Sequence, residues 1–226
     1  MRLNSRLVVA DACQYVKKGR KVESHIMFDS VSFKQLCLDA AKPCQLWHFG
    51  LPSASFSVLQ HSNKGTRRWD RPEGDGSVER ERLGNELLRR TCFLIDILEK
   101  HNNYWTLENP LSSYIWYMPQ LVKKLDPDSE SHAQFDECSY GLRIRGDMGH
   151  PEPCKKPTRM IGNLPGLSSL SAHCQCRCKH VRAVGGIRTP TGWKNRSELA
   201  GHYPIKLSDA YVHVAATALC SVCHAQ

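Results

Sequence analysis

Two stretches of this chain share one design, and together they constrain its fold more than any other feature. Leu46-Trp47-His48-Phe49 is an apolar, strand-like run that breaks into the loop Gly50-Leu51-Pro52-Ser53-Ala54-Ser55-Phe56-Ser57. Tyr104-Trp105-Thr106-Leu107 is the second, and it breaks into Glu108-Asn109-Pro110. One long helical pattern lies between them. Strand, helix and strand in this order predict a βαβ unit, whose parallel strands deliver their carboxyl ends side by side. Ligands of open α/β sheets bind in the crevice outside those ends, so the two loops are the expected mouth of a site.

The helical pattern is the clearest in the chain. Leu83, Leu87, Thr91, Leu94 and Leu98 form a predicted buried stripe, joined by Leu88 and Ile95. Ser77 is the expected cap, Glu79 and Glu81 suit the positive first turn, and the end at Lys100-His101-Asn102-Asn103 offers an asparagine for a left-handed cap. A shorter helix is predicted from Phe33, Leu36, Cys37 and Ala40, capped by Ser30 or Ser32 and stopped by Lys42-Pro43. Beyond Asp126-Pro127-Asp128 the pattern changes to short apolar runs at 133–135, 140–144 and 158–161, which suit short, antiparallel strands, and then to a helix over 207–223. The organisation predicted is an N-terminal segment without a readable pattern (1–28), an α/β core (29–125) and a C-terminal extension (126–226) with short strands, a Cys-rich loop and a terminal helix.

Lys and Arg outnumber Asp and Glu by 31 to 22, which makes a polyanion a natural partner. The basic charge gathers in the long loop after Ser57. There Lys64, Arg67, Arg68 and Arg71 can each neutralise a phosphate, and Trp69 can stack on a base. The apolar run near the N-terminus is too short for the core of a signal peptide, and no run has the length of a membrane span. An intracellular protein, nuclear or cytoplasmic, is therefore expected, with no membrane partner and with its eleven cysteines as thiols.

The residues of both strand ends resemble a known family. Gly50-Leu51-Pro52-Ser53-Ala54-Ser55-Phe56-Ser57 is similar to the catalytic loop of the cytosine-5 DNA methyltransferases, Gly-Pro-Pro-Cys-Gln-x-Phe-Ser, and Glu108-Asn109-Pro110 to their Glu-Asn-Val. A wider series, through Gly84-Asn85, Cys138-Ser139-Tyr140-Gly141, Lys156-Pro157-Thr158 and Tyr203-Pro204, resembles a divergent methyltransferase-like domain found in polyproteins of mobile elements. The resemblance implies an α/β fold with a partial Rossmann-like, class I methyltransferase-like parallel sheet and a small irregular C-terminal part. It also implies S-adenosylmethionine as cofactor, DNA as partner, and Pro52, Ser53, Glu108 and Asn109 as the catalytic set.

The family's chemistry says what these residue types do. Carbon 5 of cytosine becomes nucleophilic only when a thiolate adds to carbon 6, while a carboxyl group on the ring nitrogen stabilises the developing charge on a flipped-out base. Glu108 matches that carboxyl and Asn109 orders its turn. Ser53 stands where the thiol belongs, and a hydroxyl is a far weaker nucleophile without an activating base. His48 is nearby, but a strand histidine is more often structural. No Phe-x-Gly-x-Gly cofactor loop occurs in residues 1–49, which leaves Asp29 as the one match to an adenine-contacting acid, although a lone aspartate ahead of a helix is more often a cap. The expectation is thus a degenerate, N-terminally truncated methyltransferase-like domain that is inactive alone and able to bind nucleic acid. Two alternatives are an active enzyme completed by another polypeptide and a zinc-stabilised interaction module. The latter would use Cys174, Cys176 and Cys178 with Cys220 or Cys223, but alternating Cys-x-Cys-x-Cys lacks the usual zinc spacing, so no metal ligand is assigned.

Overall fold

The computed structural model describes residues 7–10, 27–125, 132–189 and 192–223. Its elements in chain order are β1 (Leu7–Ala10), α1 (Ser30–Ala40), β2 (Leu46–Gly50), α2 (Ser53–Phe56), α3 (Glu79–Lys100), β3 (Tyr104–Pro110), α4 (Pro119–Val122), β4 (His132–Asp136), β5 (Arg143–Arg145), β6 (Pro151–Pro153), β7 (Pro157–Gly162), β8 (Gly186–Thr189), β9 (Gly192–Asn195), α5 (Arg196–Leu199) and α6 (Ile205–Cys223). Five strands form the central sheet in the order β1-β2-β3-β7-β4. The βαβ unit is there: β2 and β3 pair in parallel around α3, and β1 adds a parallel strand ahead of them.

The sheet is mixed, where a parallel sheet was expected. β7 is antiparallel to both β3 and β4. The link from β4 to β7 carries only short turns and the β5–β6 hairpin, and without a crossover helix the chain returns antiparallel. β4 and β7, which follow residue 125, share this sheet with β1, β2 and β3.

Side-chain alternation assigns the two faces. Trp47, Phe49, Trp105 and Leu107 point to the side covered by α1 and α3 and pack with Leu87, Leu88, Leu94, Ile95 and Leu98. Leu46 points the other way, with Phe135 and Met160, against Leu207, Ala215, Ala218 and Leu219 of α6. Trp47 is fully buried, so truncating it to alanine is expected to cost about 3–5 kcal/mol. His48, Thr106 and Glu108 share the parity of Leu46, and so face the α6 layer.

The helix ends differ from expectation in detail. α1 is capped by Asp29, whose Oδ2 accepts from the Ser32 backbone N–H at 2.7 Å, rather than by a serine. Ser77 bonds to Asp75, and α3 starts one residue later with Val78 at its cap. Leu83 is 45% exposed and stands outside the buried stripe, where Gly84 takes the inward position instead. A Cβ at Gly84 would lie 2.1 Å from Ser55 Oγ, so only glycine lets α3 approach the loop after β2 this closely. Asn102 has φ of 54°, the left-handed conformation predicted for this end.

Candidate functional site

The parallel register of β2 and β3 sets Gly50 opposite Glu108. Asn109 Nδ2 then donates to the Leu51 carbonyl at 2.9 Å, which ties the two strand-end loops together. Asn109 is buried and its Oδ1 has no partner among the described residues. Pro52 takes the cap position of α2, and Ser53 is the exposed first residue of that short helix. The nearest sequence candidate for a base, His48, is bonded elsewhere.

Those bonds form a continuous chain on the α6 face. Tyr203 donates to Glu108 Oε2 at 2.8 Å, and the Tyr203 oxygen lies 3.1 Å from His48 Nε2. His48 Nδ1 is 2.8 Å from Thr106 Oγ1, which is 2.7 Å from the Tyr211 hydroxyl. Tyr203 spends its one proton on Glu108, so His48 Nε2 donates to Tyr203. Burial pushes the His48 pKa down to about 4 and so favours the neutral ring. In that form Nδ1 accepts from Thr106, which accepts from Tyr211. Burial also pushes Tyr211 up to about 12.

Burial likewise holds the Glu108 carboxyl above the usual range, against the opposing pull of Lys156 and the Tyr203 hydrogen bond. Lys156 itself is bonded to Glu137 Oε1 at 2.8 Å, and Glu137 is fully buried. A carboxyl whose hold on its proton is strengthened by burial is better suited than a free one to give a proton or a hydrogen bond to a polar ligand atom. The sequence pointed to Glu108 but not to its partner Tyr203, nor to Thr106 and Tyr211 further along the chain of bonds. Tyr203 and Tyr211 lie about a hundred residues downstream, on and just before α6, and only the strand parity hinted at which layer would supply them.

The basic loop divides sharply. Arg67, assigned to phosphate binding by the sequence, is fully buried, because its guanidinium bonds the carbonyls of Ser55, Pro72 and Glu81 and the Asn85 side chain, and lies 4.3 Å over the Phe56 ring. Burial lowers its pKa to about 10, so it remains charged at neutral pH. Glu81, also fully buried, accepts from the Thr66 N–H at 2.8 Å and from its hydroxyl. Lys64, Arg68 and Arg71 are exposed, and Arg68 pairs with Asp70 at 3.5 Å. Trp69 is half exposed beside Tyr114 and Tyr117, with ring centroids at 4.4 and 4.8 Å.

Among the described residues, the one position matched to S-adenosylmethionine by the sequence is otherwise engaged. The Asp29 carboxylate is committed to capping α1, and its bonds to Ser32 hold it below its ordinary range. The segment after β1, at 11–26, lies outside the described residues. Among the described residues no helix is long and apolar enough to cross a membrane. In comparisons with known proteins, no family model matches this chain, and neither a curated protein nor a solved structure shows significant similarity to it.

Proposed function

We propose that this chain is a cytosine-5 DNA methyltransferase-like domain that has lost the transfer step and keeps affinity for nucleic acid. The observation that carries this reading is the joined pair of strand ends, with Gly50 in register with Glu108 and Asn109 bonded to Leu51. A flipped-out cytosine would find there a carboxyl that burial makes readier to hold a proton than a free one, suited to its ring nitrogen. Three features support the loss of chemistry. Ser53 replaces the thiol, Tyr203 already occupies Glu108 Oε2, and Asp29 is spent on a helix cap. Lys64, Arg68, Arg71 and Trp69 supply exposed cations and a stacking surface for a strand of nucleic acid.

Tritium transfer from labelled S-adenosylmethionine to DNA is expected to be absent with the isolated chain. The logarithm of the DNA affinity is expected to fall linearly with the logarithm of salt concentration. Transfer that disappears in Glu108→Gln would overturn the loss of activity, and affinity indifferent to salt would remove the nucleic-acid role.

A further inference from the structure

At the open edge of the sheet, beyond β4, three sulfur atoms surround one imidazole nitrogen. Sγ of Cys174 lies 3.3 Å, that of Cys138 3.4 Å and that of Cys176 3.7 Å from Nε2 of His180. A single ring nitrogen has one lone pair or one proton and can hydrogen-bond only one of them well. A shared cation satisfies Cys138, Cys174 and His180 as they stand, while Cys176, which clusters with Cys178 and His180, can join them once its bridge opens. With Zn–S near 2.3 Å and Zn–N near 2.0–2.1 Å, a tetrahedral angle sets the S···N edge at about 3.6 Å. The donor atoms of Cys138, Cys174 and His180 also lie within 4.8 Å of one another.

The backbone delivers these residues independently of any metal. Cys138 sits in the turn that follows β4. Ala172 N–H donates to the Gln134 carbonyl, Asp136 N–H to the Ala172 carbonyl, and Cys174 N–H to Asp136 Oδ2 at 2.9 Å, which fixes the start of the loop on β4. Val181 N–H donates to the Pro153 carbonyl and fixes the other end beside His180. Between those anchors, residues 173–180 include none that is buried. Cys176 is joined to Cys178 by a disulfide, which withholds its sulfur from a metal.

We propose that Cys138, Cys174, Cys176 and His180 bind one Zn²⁺ tetrahedrally in the form of the chain whose Cys176–Cys178 bridge is reduced. A dithiol supplies two electrons and two protons to the bridge and is itself oxidised to a disulfide. Zn²⁺ then displaces the thiol protons of the three ligating cysteines, and three protons leave per metal bound. Three thiolates and an imidazole form a soft, closed set, which fits a structural zinc site rather than one that keeps a position for substrate. The ion clamps the loop onto the sheet edge. The ligand pattern was hidden in the sequence because Cys138 stands 36 positions ahead of Cys174.

The full chain, reduced with a phosphine, exposed to zinc chloride and freed of excess metal, is expected to retain about one zinc per chain. Cys174→Ser and His180→Ala are expected to retain almost none, while Cys220→Ser on α6 retains all of it. Should the variants fail to fold, Co²⁺ added to the reduced native chain gives the intense absorption of a tetrahedral cobalt thiolate, which weakens when an oxidant closes the bridge. Zinc near zero in the reduced native chain, or full zinc in a Cys174→Ser/His180→Ala double variant, overturns the site. An unchanged cobalt spectrum after oxidation overturns Cys176 as a ligand.

Discussion

The loop that follows β2 and the loop that joins residues 172–181 are both long, polar and rich in cations, yet they are held by different means. The first closes around its own buried charges, Arg67 and Glu81, whose hydrogen bonds reach carbonyls and amides along residues 55–81. The second buries nothing between its anchors and offers sulfur and imidazole instead. A segment with no core of its own needs a covalent or metal staple, whereas one that buries a fully bonded guanidinium does not. The contrast explains how two basic loops in one chain can have separate duties. In the first, the cation that organises the loop cannot also touch a ligand, and the exposed cations carry whatever binding there is.

The largest test of this contrast is Arg67→Ala. It leaves the Ser55, Pro72 and Glu81 carbonyls without their donor and Glu81 without its nearby positive charge, and it is expected to cost about 3–5 kcal/mol in urea unfolding. A cost below about 0.5 kcal/mol, the ordinary range for surface sites, would return Arg67 to the surface. Next in size is metal removal. With free zinc about a thousand times Kd the site contributes about 4 kcal/mol to whatever opens with it. Chelation is expected to speed amide exchange across 172–181 and to leave 51–78 unchanged. Equal acceleration in both loops would erase the distinction.

The strand-end network gives smaller effects. Tyr203→Phe leaves the buried His48 and Glu108 each short of a partner, at an expected cost of about 1–3 kcal/mol. Glu108 and His48 titrate with opposite signs. The raised folded pKa of Glu108 favours folding below its ordinary value of 4.5, and that contribution is lost as pH rises through the folded value. The lowered pKa of His48 favours folding above 6.5, and that contribution is lost as pH falls toward about 4. Glu108→Gln should therefore gain stability relative to the native chain as pH rises from 4.5. A difference independent of pH would mean that folding does not raise the Glu108 pKa. Smallest of all, Lys64→Ala, Arg68→Ala and Arg71→Ala should each leave stability within about 0.5 kcal/mol while making the salt dependence of DNA binding shallower by about 1.

What the sequence made legible follows from locality. The βαβ unit could be read because apolar alternation and a 22-residue amphipathic helix are local patterns, and parallel pairing then put Gly50 beside Glu108 automatically. The antiparallel run at 158–161 was readable as a short strand, but its place between β3 and β4 in the central sheet was not, since no local pattern reports strand order. Arg67 was misplaced because a cation within Thr66-Arg67-Arg68-Trp69 looks like its neighbours, and only the close approach permitted by Gly84 draws it inward. Cys138 with His180, and Tyr203 with Glu108, meet across long sequence separations that no local pattern reports.

On the proposed reading, the strand ends keep the geometry of a cytosine site while lacking its nucleophile. Release of tritium from DNA labelled at carbon 5 of cytosine tests it most directly, because thiolate addition at carbon 6 labilises that position with no cofactor present. The native chain is expected to release none. Ser53→Cys is expected to release tritium, and the release should disappear when Glu108→Gln is added. Failure of Ser53→Cys to release any tritium, from a folded chain that binds the DNA, would contradict the claim.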